Sequence, residues 1–226
     1  MADAKHGVTT TRDRIPAEPE GMSGLLGRLS SLALVATLVK KAQIAVDAIP
    51  TDTVTGLDIR SWLARSRGLF VAPDILAGAL IPGGACSGVC MARAPNGDDW
   101  NGPTFHMLGG VALDLQPGGS SSAIFLLAMT DRGVNAFLSD NIELGGSALI
   151  GIPSAADDDT DILGLALSQG ARSSPSFAGA VMSACAGLNR ALYGPDVTLA
   201  DILIGGASCG IDSAGLTRAL VEAASA

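Results

Sequence analysis

Aromatic residues are scarce in this 226-residue chain: five Phe, two Trp and one Tyr make up 4% of it. That leaves little material for stacking on bases or for a sugar-binding platform. Charge is scarce as well, at 16%, and its balance is acidic, −8 overall with a pI near 4.6. A nucleic-acid partner is excluded on that ground, because it demands a basic footprint. Histidine occurs only at positions 6 and 106, so imidazole chemistry has almost nothing to draw on. No apolar run approaches the roughly 20 residues that a transmembrane helix needs. The longest, Leu32 to Val39, is interrupted by Thr37 and stops at Lys40-Lys41. It also begins too deep in the chain for a secretory signal peptide, which favours a cytoplasmic or membrane-peripheral location over export.

Cysteine is limited to positions 86, 90, 185 and 209. Cys86 and Cys90 would share one face of a strand, yet at about 3.3 Å per residue they would lie roughly 13 Å apart, out of disulfide reach. A Cys-x3-Cys pair with no downstream His pair makes a poor zinc site. Free, buried thiols and no cofactor are expected.

What the chain has in plenty is apolar residues, 48% with a mean hydropathy of +0.40. At this length they suffice for one domain with a substantial core. The charges are split unevenly. Residues 1–67 carry nine Lys/Arg against seven Asp/Glu, a net +2, whereas residues 68–226 carry five against fifteen, a net −10. Met22 to Val46 holds Arg28, Lys40 and Lys41 and no acid. Such a stretch suits either a membrane-facing role or a helix that happens to lack acids.

Along the chain, residues 1–21 lack periodicity and read as a disordered tail. Met22, Leu25, Leu26, Leu29, Leu32, Ala33, Ala36 and Val39 recur at helical spacing, which predicts a helix to about Asp47. Its polar face is thin, compatible with packing on a core or lying on lipid. A second helix is expected from Leu57 to Ser66, with Trp62 and Leu63 inward and Arg60, Arg65 and Arg67 solvated. From Gly68 to Gly110, three apolar runs are cut by paired glycines and by Trp100-Asn101-Gly102-Pro103, a pattern of antiparallel strands. The runs VALDLQ and AIFLLAMT flank Pro117-Gly118-Gly119-Ser120 and read as a hairpin. Asp131 is expected to cap a short helix through Leu138, and strands resume at Ser147–Ile150 and Ile162–Leu167. The fold class is therefore α+β: a largely antiparallel or barrel-like sheet with N-terminal and peripheral helices. The main domain spans 22–206, followed by a tail, 207–226, with helical character.

Three local patterns suggest chemistry. Gly206-Ala207-Ser208-Cys209-Gly210 has the form of a nucleophile elbow between a strand-like DILIGG and a helix-like tail. Only 16 residues follow Gly210 and none is His, so no acid–base relay can follow the serine and an enzyme is not expected. Asp157, Asp159 and Asp161 match the first ligands of a calcium loop, but Ile162 stands where its turn needs Gly and Ser168 where it needs Glu. An acidic surface loop is the reading. The glycine pairs at 83, 109, 118, 145 and 205 form no phosphate-binding signature and read as turns and bulges.

Arg67-Gly68-Leu69-Phe70-Val71-Ala72-Pro73, the Gly83/Gly84/Gly88 run and Asp99-Trp100-Asn101-Gly102-Pro103-Thr104-Phe105 resemble successive signatures of the SYLF lipid-binding domain family. Met129-Thr130-Asp131-Arg132-Gly133, Glu143-Leu144-Gly145-Gly146-Ser147-Ala148, and then Asn189, Tyr193-Gly194 and Val197 through Leu203 continue the likeness in order, over about Ala42 to Gly206. The resemblance implies a non-catalytic peripheral protein whose partner is membrane phospholipid, a phosphoinositide or another anionic lipid; some relatives also bind actin. The chain departs from the family at Ala166–Arg172, where an aromatic and a basic pair are missing. From charge alone, the lipid-contacting candidates are Arg28, Lys40, Lys41, Arg60, Arg65 and Arg67. A protein-interaction module of the same fold is the alternative, and liposome binding separates the two.

Overall fold

The computed structural model describes residues 22–50, 59–75, 85–97, 99–109, 122–144, 150–151, 160–168, 171–173 and 177–225. Helix α1 is Met22–Asp47, matching its apolar periodicity, and α2 is Ile59–Arg65. Strands β1 (Gly68–Ile75), β2 (Ala85–Arg93), β3 (Trp100–Gly109) and β4 (Ser122–Ala128) precede α3 (Asp131–Phe137). Then come β5 (Asn141–Glu143), β6 (Ile150–Gly151), β7 (Ile162–Ser168), β8 (Ala171–Ser173) and β9 (Val181–Ala184). Helices α4 (Ala186–Tyr193), α5 (Leu199–Leu203) and α6 (Ala214–Ser225) close the described chain.

Among the described residues the strands form one sheet in the order β5-β9-β3-β2-β1-β4-β7-β6, with β8 on β7, curled into a half-barrel. All pairings are antiparallel except β6 with β7. The α+β class expected from the sequence is the observed one.

Side chains alternate across this sheet, and both sides are covered. Leu69, Val71, Val89, Met91, Phe105, Phe125 and Leu127 pack with α1, α2 and α6. Their neighbours Phe70, Ala72, Cys90, Ala92, Leu108, Ile124 and Leu126 pack with Val134 and Phe137 of α3 and with Phe177. Burial on both faces is why β1 and β4 read as continuous apolar runs instead of alternating ones. Near Pro73 the β1–β4 register shifts between Ala72 and Ile75, where a residue without an N–H cannot continue the ladder. The β2–β3 register shifts between Cys90 and Ala92, opposite Gly102-Pro103.

On α1, Val35, Val39, Ala42 and Val46 are buried, a seam at spacings of four, three and four that faces the sheet. From α6, Leu216, Ala219, Leu220 and Ala223 turn inward, and the two helices approach so closely that a Cβ on Gly215 would lie 2.7 Å from Gln43 Oε1. Gly88 is required more strictly, since a Cβ there would lie 2.3 Å from the Phe70 ring and 2.7 Å from the Val71 carbonyl. Gly88→Ala is expected to cost about 2 kcal/mol through overpacking. A chemical-denaturation midpoint equal to wild type would show that the ring can move aside.

Several local expectations are corrected. The cap of α3 is Thr130, not Asp131: Thr130 has extended backbone (φ −124°, ψ 165°) and its Oγ1 accepts from Gly133 N. Asp131 is the first helical residue and forms an ion pair with Arg67. Asp161 is buried, not in a solvated acidic loop, accepting from Thr130 Oγ1 and pairing with Arg132 at 2.8 Å; Asp157 and Asp159 lie outside the described residues. The DILIGG run is not a strand, because Thr198 and Asp201 form a reciprocal capping box that starts α5. Of the expected hairpin, VALDLQ lies outside the described residues, and β4 pairs with β1 and β7. The N-terminal tail, 1–21, and the run 145–149 also lie outside them.

Candidate functional site

The motifs quoted for the family resemblance turn out to hold the fold together. Asn189 of α4 bonds the backbone of Phe105 on β3 twice: its Oδ1 accepts from Phe105 N at 2.9 Å and its Nδ2 donates to Phe105 O at 3.1 Å. Tyr193 Oη donates to Pro103 O at 2.7 Å, beside Asn189 on the same helix-to-strand seam. Asn101 Nδ2 donates to Leu203 O and Ile204 O, satisfying carbonyls that the end of α5 leaves open. Trp100 is buried under the Arg93 guanidinium, 4.7 Å from the ring centroid. Arg93 in turn donates to the carbonyls of Leu63, Ala64 and Ser66 at the end of α2.

The elbow-like serine lies in the irregular segment between α5 and α6 and is exposed. His106, the one histidine among the described residues, is fully buried in the sheet interior. Its Nε2 lies 3.0 Å from Thr104 Oγ1, its ring meets Phe70 edge-on, and its Nδ1 has no hydrogen-bond partner. Burial pulls its pKa down to about 4. Nucleophile activation needs a base in hydrogen-bond contact, and no such bond joins His106 to Ser208. Cys90, across from Thr104, is buried with its thiol pushed up by desolvation, and the half-buried Cys185 is shifted the same way. Cys90, Cys185 and Cys209 are free; the Cys86 side chain lies outside the described residues. Among the described residues, no group of three His, Cys, Asp or Glu could hold a metal.

The outward face of α1 is different in kind. At 100° per residue, Leu34, Thr37, Lys41 and Ile44 form a stripe opposite the buried seam. Leu34 is 60% and Ile44 57% exposed. Thr37 Oγ1 donates back to Ala33 O at 2.9 Å, which turns its polar group into the helix. Exposed Ala33, Ala36 and Lys40 adjoin the stripe. An apolar helix of this kind is ordinarily enclosed by protein on all sides, yet α1 has an uncovered side among the described residues. No helix among those residues is long and apolar enough to cross a membrane.

The six basic candidates do not share one role. Lys40 and Lys41 are exposed neighbours on α1, and Lys40 Nζ donates to Gln43 Oε1 at 3.0 Å. Arg60 is half-buried, not solvated, and donates to Ile49 O and Pro50 O. Arg67 is engaged by Asp131, and Arg65 is exposed at the end of α2. Arg28 is placed on α1 by its backbone alone. Arg218 of α6, which no sequence pattern singled out, reaches the same flank of α1 as Lys40.

The half-barrel, its helical cover and this helix face together define a single-sheet α+β domain. Residues 109–223 match the family model Ysc84, described as "Las17-binding protein actin regulator". The chain belongs to this family of SYLF domains. It is 26% identical over 153 residues to the SH3 domain-containing YSC84-like protein 1 of Pongo abelii and of Homo sapiens, covering 63% of the chain and 44% of each relative. The Rattus norvegicus protein of the same name is 31% identical over 91 residues, 40% of the chain and 26% of the relative. The chain thus spans less than half the length of these relatives.

Proposed function

We propose that this protein attaches reversibly to anionic phospholipid surfaces, without catalysis, through the outward face of α1. The observation that carries this reading is the exposure of Leu34 and Ile44 beside Lys40 and Lys41 on a helix with no acid between Met22 and Val46. The magnitudes fit a weak, reversible contact. Fully burying a Leu or Ile side chain contributes about 1.5–3 kcal/mol, and each Lys near an anionic surface about 1 kcal/mol. Residues 68–226, at −10, would be repelled by the same surface, so attachment must be led by the N-terminal helix. A phosphoinositide is one anionic lipid that meets this description. The family's basic motif is absent around Ala166–Arg172, and Ala166 there is buried in β7, so any headgroup contacts have to come from elsewhere.

Co-sedimentation with liposomes tests the reading. Lys40→Gln with Lys41→Gln is expected to weaken binding to phosphatidylserine vesicles by about 2 kcal/mol, and added salt should weaken wild type in the same direction by screening. Wild type remaining in the supernatant at every lipid composition would overturn it. The family's description supports a second reading, in which the same face docks a protein partner; wild type that stays in the supernatant at every lipid composition would favour it.

A further inference from the structure

A cleft of about 440 Å³ lies between α1 and the start of α6, and Lys40, Gln43, Asp212, Gly215 and Arg218 line it. It is many times the roughly 30 Å³ that one water occupies in the liquid. Two cations from opposite ends of the chain share this cleft in a protein of net charge −8. Among the described residues, the one acid lining it leaves them unpaired: Asp212 Oδ1 accepts from Ala214 N at 3.0 Å, and no ion pair joins it to Arg218. Lys40 spends one donor on Gln43, and an ammonium has three. Gly215 keeps that wall at backbone level, since a side chain there would run into Gln43. Like charges brought to one site repel, and a multiply charged oxyanion placed between them reverses the sign of that interaction.

We infer that this cleft binds a phosphomonoester. The Arg218 fork pairs with two of its oxygens, and Lys40 acts as a point charge on the third. Beyond Ala214 N, which Asp212 occupies, the first turn of α6 adds a favourable dipole. The inference rests on the membrane reading only in taking the phosphate from a lipid headgroup; a soluble phosphomonoester has the same chemistry.

Two arms separate these sources. Titrating glycerol 3-phosphate into isotope-labelled protein should move the Gly215 amide resonance saturably. Arg218→Gln should weaken that binding about tenfold or more, and Arg218→Lys should restore part of it. Arg218 is exposed, so both variants should melt with wild type. No saturable shift at Gly215, or equal affinity in wild type and Arg218→Gln, overturns the inference whatever happens at membranes. In the second arm, wild type should prefer phosphatidic acid vesicles to phosphatidylserine vesicles of matched surface charge. Arg218→Gln should erase that preference while keeping the phosphatidylserine binding. Saturable glycerol 3-phosphate binding with no binding to either vesicle supports the cleft and assigns it a soluble ligand, and it removes the membrane reading instead.

Discussion

Trp100→Ala is expected to destabilise the protein by about 3–5 kcal/mol, the cost of a large cavity in a packed core. The indole is 5% exposed and belongs to the cluster that joins the sheet to α1, α2 and α6. Its loss also takes away the ring beneath Arg93, the side chain that ties β2 to the end of α2. The indole Nε1 is buried without a partner, which offsets part of the ring's contribution, since an unmet donor carries a desolvation cost. Trp100→Phe should therefore be much milder than Trp100→Ala. Thermal unfolding measures both, and for a domain of this size the alanine variant's midpoint should fall by on the order of 10 °C. An unchanged midpoint would mean that the indole anchors nothing and is free to enter a membrane.

The second large effect is acid sensitivity. His106 is neutral in the folded chain, its pKa drawn by desolvation from 6.5 to about 4. Above pH 6.5 both folded and unfolded forms are neutral at this residue, and it adds no pH dependence. As pH falls from 6.5 towards 4, only the unfolded chain takes up the proton, so stability drops by about 1.4 kcal/mol per pH unit, about 3 kcal/mol in all. Among the described residues no acid is bonded to it: Thr104, Cys90, Gly88, Ala184 and the Phe70 ring are what β1, β2, β3 and β9 place around it. Urea titrations at pH 7 and pH 4.5 measure the slope, and His106→Gln should flatten it. A slope unchanged by that substitution would assign the acid sensitivity to the carboxylates.

Much of the architecture was legible because single segments carried their own signal. The bounds of α1 follow from its apolar spacing, and β1, β4 and β7 from short apolar runs between glycines and prolines. Where the reading failed, the deciding partner was distant or the local signals competed. Thr130 and Asp131 are both capable caps, and only the backbone conformation of Thr130 decides between them. The Asp-Ile-Leu-Ile run looks like a strand, yet the Thr198-to-Asp201 spacing carried a capping-box signal that outweighed it. Asp161 looks solvated in an acidic run, but Thr130 and Arg132 bury it from about 30 residues away. Of the candidate site, Lys40 and Lys41 were visible from charge patterning. Arg60 gave no hint that it would be spent on the carbonyls of Ile49 and Pro50, and Arg218 reaches the flank of α1 only through the tertiary path of α6.

The clamp of Asn189 on Phe105 also bears on whether this edge of the sheet can recruit another chain. Strand β9 covers β3 only from His106 to Gly109, so the backbone of Phe105 would otherwise form an open rung at the point where cover stops. Asn189 presents an amide with the donor and acceptor of a peptide group, and Cys185 N also donates to Phe105 O at 2.9 Å. The rung is thereby closed from within the same molecule. A neighbouring chain seeking to extend the sheet at this edge finds no free hydrogen-bonding register at Phe105, so a residue that fastens a helix to a strand also protects the strand from recruitment into an aggregate.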